Sequence, residues 1–375
     1  MKDVTKNAIF KRLNGDFEYY ARYQRIKQIS SRVRVSEYLI TTACNIRCKG
    51  CWFFEYDFDK RTKDLSKKDE IKKFLISERN RGINTSLIIG GEPTLHPKRL
   101  ELFAEIMEFN SISTNGLKAL PKEGFKDFSV LISLFGGGSL DDDLRAIKPN
   151  GNSFSGLFET ALKNYKYDPR AHFIFAVTED GIAHIEETVR KISENGNTVS
   201  VNFYSKYGTS DPLRTKYEKR LLDEILRVRE LFPETLASHP YYIEAMVTGK
   251  SHWGDFGYDV CPSVSVDHPQ NAERIKNGNA VLPGFNAYAS DCKTVNFCCT
   301  SGHCEDCRDS QAVMSWINQK RFVKDENLLK IWIEIAESYW HQFVWAHDFR
   351  YSAPSLQTSE NLNLRNQHHL LKEVG

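Results

Sequence analysis

Between Val35 and Tyr204 six short β-rich runs, ending at Thr41, Ile89, Thr114, Leu134, Thr178 and Tyr204, alternate with segments of helical periodicity. Ile71, Phe74, Leu75 and Glu78 trace one stripe, Leu100, Phe103, Ala104 and Met107 a second, and Ile182, Ile185, Val189 and Ile192 a third. Residues three and four apart share one helix face, so each stripe is expected to be buried in a core. Ser66 is the expected N-cap of the first of these helices, with Asp69 at its third position. Six strand–helix units imply a parallel sheet with right-handed crossovers.

In a parallel sheet the ligand sits beyond the carboxyl ends of the strands, so the residues that close each run form one candidate constellation. Gly90, Gly91 and Glu92 follow the second run, Thr114, Asn115 and Gly116 the third, Ser133 to Gly137 the fourth, and Asn202 to Tyr204 the sixth. The glycines let backbone groups approach a ligand closely.

Immediately after the first run stand three cysteines, Cys44-x3-Cys48-x2-Cys51. Thiolates at this pitch can hold three irons of a [4Fe-4S] cluster and leave the fourth open, whereas a cluster that only carries electrons is normally held by four cysteines. An open iron is where a cofactor or substrate can coordinate. A zinc site completed by a distant ligand is the alternative, but zinc favours paired CxxC knuckles or Cys/His sets and leaves Gly90-Gly91-Glu92-Pro93 unexplained.

CxxxCxxC followed by a strand and Gly-Gly-Glu-Pro resembles the radical S-adenosylmethionine (radical SAM) superfamily, in motif order over roughly residues 35 to 205. The resemblance implies an α/β fold, a partial (β/α)6 TIM-like barrel, in which the open iron chelates the amino and carboxylate groups of SAM. Reductive cleavage of SAM then gives a 5'-deoxyadenosyl radical that takes hydrogen from the substrate. It also implies that Cys44, Cys48 and Cys51 are the catalytic metal ligands. Gly90, Gly91 and Glu92 would bind the SAM amino group, Thr114, Asn115 and Ser133 would lie by its carboxylate or ribose, and Asn202 would be a further cofactor-binding residue. One departure stands out: the family often places an aromatic residue before the third cysteine, and here that residue is Gly50. Trp52, Phe53 and Phe54 follow instead, either as the adenine surface or, for Phe54 and Tyr56, as loop anchors.

The other six cysteines lie in the second half: Cys261, Cys292, Cys298, Cys299, Cys304 and Cys307. Cys304-x2-Cys307 lets two thiolates converge on one metal, and Val264 to Asp267 with Ala280 to Leu282 reads as a hairpin after Cys261. This order resembles the SPASM/Twitch auxiliary-cluster modules of many radical SAM enzymes. It implies an auxiliary [4Fe-4S] cluster held by Cys261, Cys304, Cys307 and one of Cys298 or Cys299, with Cys292 in reserve. A structural zinc, an unligated buried thiol and a thiol that donates hydrogen to a substrate radical remain open.

These readings divide the chain into an N-terminal helical extension (1–34), the partial barrel (35–210), a helical connection (211–255), a cysteine-rich auxiliary module (256–310) and C-terminal helices with a polar tail (311–375). Trp316, Ile331, Trp332, Ile335, Tyr339, Trp340, Phe343 and Trp345 form the aromatic stripe of the last. With 375 residues and 41% hydrophobic content the chain can bury one large core and a smaller module. The absence of a long apolar run or a signal-peptide core leads to a cytoplasmic, non-membrane protein, where nine cysteines are metal ligands rather than disulfides. A net charge of +2 opposes bulk nucleic-acid binding, although the basic and aromatic residues between Lys11 and Arg34 suit either an amphipathic covering helix or RNA. Lysines and arginines from Lys60 to Lys73 read as a solvated face, or as a dock for a flavodoxin or ferredoxin that reduces the cluster. The short extension before the first strand leaves little room for a leader-peptide domain, which favours a small-molecule substrate. The expected activity is oxidation of a sugar, aminocyclitol or nucleoside, with radical epimerisation or peptide modification as alternatives. A metal-stabilised interaction protein without turnover is opposed by the intact cysteine triad and Gly-Gly-Glu.

Overall fold

In the computed structural model, which describes residues 8–55, 57–203, 217–248, 250–251, 254–255, 284–295 and 326–343, all six expected strands are present and lie side by side in chain order. Helix α1 (Phe17–Arg32) precedes β1 (Val35–Leu39), and the short helices α2 (Trp52–Glu55) and α3 (Phe58–Arg61) follow it. Then come α4 (Lys68–Asn80), β2 (Thr85–Ile89), α5 (Pro97–Ile106), β3 (Phe109–Thr114), β4 (Phe128–Leu134), α6 (Gly138–Arg145), α7 (Leu157–Asn164) and β5 (Ala171–Val177). The chain continues through α8 (Ile185–Glu194), β6 (Thr198–Phe203), α9 (Glu218–Leu231), α10 (Pro240–Thr248), the two-residue strands β7 (Lys250–Ser251) and β8 (Gly254–Asp255), β9 (Ala287–Tyr288) and α11 (Glu326–Phe343).

The main sheet is wholly parallel and open, in the order β6-β5-β4-β3-β2-β1-β9, as expected of a partial barrel. Its seventh strand is a finding: Ala287 and Tyr288 pair with Glu37 and Tyr38 at the outer edge of β1. A pair of residues is too short to announce itself by alternation.

Strand side chains alternate between faces, and here the two faces differ in chemistry. One carries Tyr38, Ile88, Ile112, Val130, Ile132, Phe173, Phe175, Val199 and Val201, packed against the stripes of α4, α5 and α8. The other carries Ser111, Ser113, Ser129, Ser133, His172, Thr198, Ser200 and Asn202, interleaved with Leu87, Leu131 and Ile174. Burying the first face supplies the hydrophobic stabilisation, on the order of 25 cal/mol per Å². The second face is hydroxyl-rich, and its residues towards the carboxyl ends, Ser113, Ser133 and Asn202, are half-buried.

The helix expected to start at Ser66 starts instead at Lys68, with Lys67 as an N-cap that makes no side-chain cap. Asp69 and Glu70 in the first turn meet the helix dipole there instead. Ile182 belongs to a 3-10 turn (Asp180–His184) ahead of α8, though it is buried with the rest of its stripe. The basic stretch from Lys60 to Lys73 spans α3, a loop and the first half of α4, and Lys60, Lys67 and Lys72 pair with Asp57, Glu70 and Glu105 as a solvated face does.

Helix α1 is the covering helix rather than a basic arm: Tyr19, Tyr23, Ile26 and Ile29 are buried, and Arg22 pairs at 2.7 Å with Glu337 of α11 where both side chains are buried. Trp332 and Ile335 of α11 are buried in the same core. Tyr56, the expected hairpin between Val264 and Leu282, Cys261, Cys298, Cys299, Cys304, Cys307, Trp316 and Trp345 lie outside the described residues.

Candidate functional site

The cysteine loop leaves β1 at its carboxyl end, and the protein holds it from three sides. Asp64 grips its entry, accepting from the Thr41 hydroxyl at 2.7 Å and the Thr42 amide at 2.8 Å, while Arg99 holds Asp64 at 3.0 Å. The Gly-Gly-Glu turn grips it next: the Gly91 amide donates to the Thr41 carbonyl at 2.9 Å and the Glu92 amide to the Ala43 carbonyl at 2.8 Å. At its exit the Arg47 amide donates to the Ile147 carbonyl at 2.7 Å and the Lys49 amide to the Leu144 carbonyl at 2.8 Å, so the end of α6 and the turn that follows it bracket Cys48.

The need for two glycines follows. A Cβ on Gly91 would lie 2.1 Å from the Ala43 carbonyl oxygen, and Gly90 has φ +150° with the Thr41 carbonyl 2.7 Å from where its Cβ would be. The close approach that these glycines permit is therefore an approach of the cysteine loop itself. Gly50, where an aromatic residue was absent, has φ +71°, a left-handed turn that favours glycine. The aromatic residues beyond it pack inward: Phe53 and Phe58 are buried with Leu39, and Trp52, Phe54 and Cys51 lean on that cluster. The Arg47 guanidinium lies 4.0 Å from the centre of the Phe54 ring.

Glu92 is 1% exposed, and its carboxylate is fully engaged. Oε1 accepts from the Thr94 amide (2.9 Å), the Thr94 hydroxyl (2.6 Å) and the Thr114 hydroxyl (2.8 Å), and Oε2 accepts from the Asn115 amide (2.8 Å). Glu92 is thus a strut that ties the turn after β2 to the end of β3. Asn115 extends the strut, its Nδ2 donating to Asn45 Oδ1 at 2.8 Å inside the cysteine loop. The sequence reading placed Glu92, Thr114 and Asn115 beside a ligand; the structure brings all three to the carboxyl ends and spends much of their side-chain hydrogen bonding on one another. The Ser133 carbonyl accepts from Arg145, and Asn202 Oδ1 accepts from the Phe203 amide at 2.8 Å.

Two residues that the sequence reading missed lie here. Asp141 and Arg145 of α6 form a buried ion pair, N to O 3.3 Å, and the Arg145 charge lies within electrostatic reach of Cys48. The signal available was their spacing of four on one helix face, which in a sequence looks like any solvated pair. The hydroxyl-rich sheet face was equally readable, as serines alternating with apolar residues along β3 and β4.

Cys44, Cys48 and Cys51 are all half-buried and free of disulfides. Burial pushes the Cys44 thiol up to about 12, and Glu92, Cys48 and Cys51 push it the same way; burial also raises Cys51. Iron binding must therefore displace protons. Among the described residues no three His, Cys, Asp or Glu side chains converge as the ligands of one ion do. Three thiols on one loop, each free of a disulfide, could each take a different iron of a cluster. We expect apo-protein Cys44 to resist iodoacetamide at pH 8 and to be alkylated only as pH rises from about 9 towards about 12, because it is the thiolate that reacts. Mass-resolved alkylation that finds Cys44 as fast as free cysteine at pH 8 would contradict this environment.

Cys292 lies elsewhere. It lines a small cavity with Tyr38, Ile40, Phe103 and Arg99, on the helix-covered side of β1, and burial pushes its thiol to about 12.

With this geometry in hand, residues 38–211 match the family model described as Radical SAM superfamily. Among solved structures the chain is similar to native anSMEcpe with bound AdoMet, at 19% identity over 58% of this chain and 68% of that one, TM-score 0.44. It is also similar to native anSMEcpe with bound AdoMet and Kp18Cys peptide (17%, 58% and 67%, TM-score 0.43). A third is the FeFe-hydrogenase maturase HydG from Carboxydothermus hydrogenoformans (12%, 92% and 85%, TM-score 0.36). No curated protein matches the chain. No described helix is long and apolar enough to cross a membrane.

Proposed function

From the match of residues 38–211 to the radical SAM family model, we propose that the protein binds a [4Fe-4S] cluster through Cys44, Cys48 and Cys51 and acts on a polar small molecule. A single observation carries this reading: the three thiols sit on one loop beyond the carboxyl ends of a parallel sheet, braced there by Gly91 and Glu92. With SAM bound, such a cluster supplies the electron that releases a 5'-deoxyadenosyl radical. The chain's own part is to hold the loop, shape the SAM site with Gly90, Gly91, Ser133 and Asn202 at the strand ends, and orient the substrate.

The serine, threonine and asparagine face of the sheet supports a hydroxylated substrate such as a sugar, aminocyclitol or nucleoside, because hydroxyls both donate and accept. We read the reaction as oxidation, the second electron leaving through an auxiliary cluster held by Cys261, Cys304, Cys307 and Cys298 or Cys299. A flavodoxin or ferredoxin would supply the first electron. The epimerase alternative needs a thiol facing the substrate, and Cys292, half-buried among Tyr38, Ile40 and Phe103 on the opposite face, is better read as a small hydrophobe.

Anaerobically reconstituted, dithionite-reduced protein should cleave SAM to 5'-deoxyadenosine and methionine and carry about eight irons from two four-iron clusters. Iron-replete protein that releases no 5'-deoxyadenosine sinks the central reading. About four irons, unchanged when Cys304 and Cys307 become alanine, removes the auxiliary cluster.

A further inference from the structure

Arg145 is a buried charge beside the cysteine loop. Its side chain is 4% exposed and that of its partner Asp141 1% exposed. Asp141 Oδ1 already accepts the Phe135 amide at 2.6 Å, so Asp141 is held in place while it faces Arg145. Arg145 Nη1 donates to the Ser133 carbonyl and reaches the two Asp141 oxygens at 3.4 and 3.3 Å, lengths at the weak end for a charged pair. Nε is buried and has no hydrogen-bond partner among the described residues. A buried N–H left unpaired costs about 1–3 kcal/mol, which points to an acceptor that the polypeptide itself does not supply.

The backbone decides what that acceptor is near. The amides of Arg47 and Lys49 bond to the carbonyls of Ile147 and Leu144, so Arg145 is clamped alongside Cys48, which packs against the cluster that contains Ala146. A guanidinium is not deprotonated in proteins, so the buried Arg145 brings a fixed positive charge to this place.

Resting on the cluster assignment above, we propose that Arg145 is the electrostatic partner of the cluster, acting through the Cys48 sulfur to stabilise the reduced form. Hydrogen bonds and charge at the ligand sulfurs set cluster potentials. Reduction adds one negative charge, which a buried guanidinium favours, and Asp141 tempers that effect by partly neutralising it. Arg145 is thus a positioning residue with an electronic role, and Asp141 sets its strength.

The test is an EPR-monitored redox titration of the reconstituted full chain without SAM. Arg145→Met should disfavour reduction about tenfold, a fall in midpoint potential of about 59 mV for one electron, with Arg145→Lys in between. Asp141→Asn keeps an acceptor for the Phe135 amide and should shift the potential upward. Opposite signs from the two members of one ion pair are not what a purely structural role produces. Unchanged potentials at wild-type iron content overturn the proposal, and weaker SAM binding at unchanged potential overturns it in favour of a contact to the SAM carboxylate. If Arg145→Met loses iron, Asp141→Asn decides: an unchanged potential there also overturns the proposal. Wild-type protein that takes up no cluster refutes instead the assignment on which the proposal rests.

Discussion

Cys48→Ala protein, reconstituted and reduced beside the wild type, should release no 5'-deoxyadenosine above the cluster-free background. The expected loss exceeds the roughly 10–100-fold that follows removal of a residue beyond the metal ligands, because alanine leaves one iron without its thiolate. The substitution should leave the fold largely in place. Cys48 is half-buried at a loop, and the backbone bonds that bracket it, Arg47 to Ile147 and Lys49 to Leu144, do not involve its side chain. Far-UV circular dichroism and thermal melting of the apo-protein check that. Chromatographic quantification of 5'-deoxyadenosine reads the activity, and turnover that survives with only a C-terminal cluster present would move the site away from this loop.

Much of the frame was readable because it depends on local pattern. Strand ends at Ile89, Thr114 and Leu134 coincide with those expected, since apolar β-rich runs stop where polar or glycine residues must turn. The stripes of α4, α5 and α8 are buried for the same reason. What local pattern could not carry was partnership across the chain. Glu92 looks in sequence like a ligand-binding acid, yet its four donors come from Thr94, Thr114 and Asn115, the last two more than twenty residues on. Arg145 looks like one basic residue on a short acidic helix, and only the return of the chain at Leu144 to Ile147 reveals the sulfur beside it. Ser66 failed as a cap because capping is settled by backbone geometry that residue type only biases.

Glu92→Ala should be the most destabilising single change near the site. It deletes an acceptor on which two amides and two hydroxyls converge, all buried or nearly so. Each stranded donor costs about 1–3 kcal/mol, and breaking a buried charged network typically totals about 3–5 kcal/mol. Urea unfolding of the apo-protein reads that loss directly. Glu92→Gln should cost less, about 1–3 kcal/mol: its oxygen can take the three donors that meet Oε1, but its NH2 then faces the Asn115 amide, donor against donor. Gly91→Ala separates the strut from the loop it braces. Its Cβ would overlap the Ala43 carbonyl at 2.1 Å, so it should displace the cysteine loop and lower iron uptake while the Glu92 network remains. Equal apo-protein stability for wild type and Glu92→Ala would show that these four bonds are not what ties β2 to β3, and would return Glu92 to a direct role at the ligand.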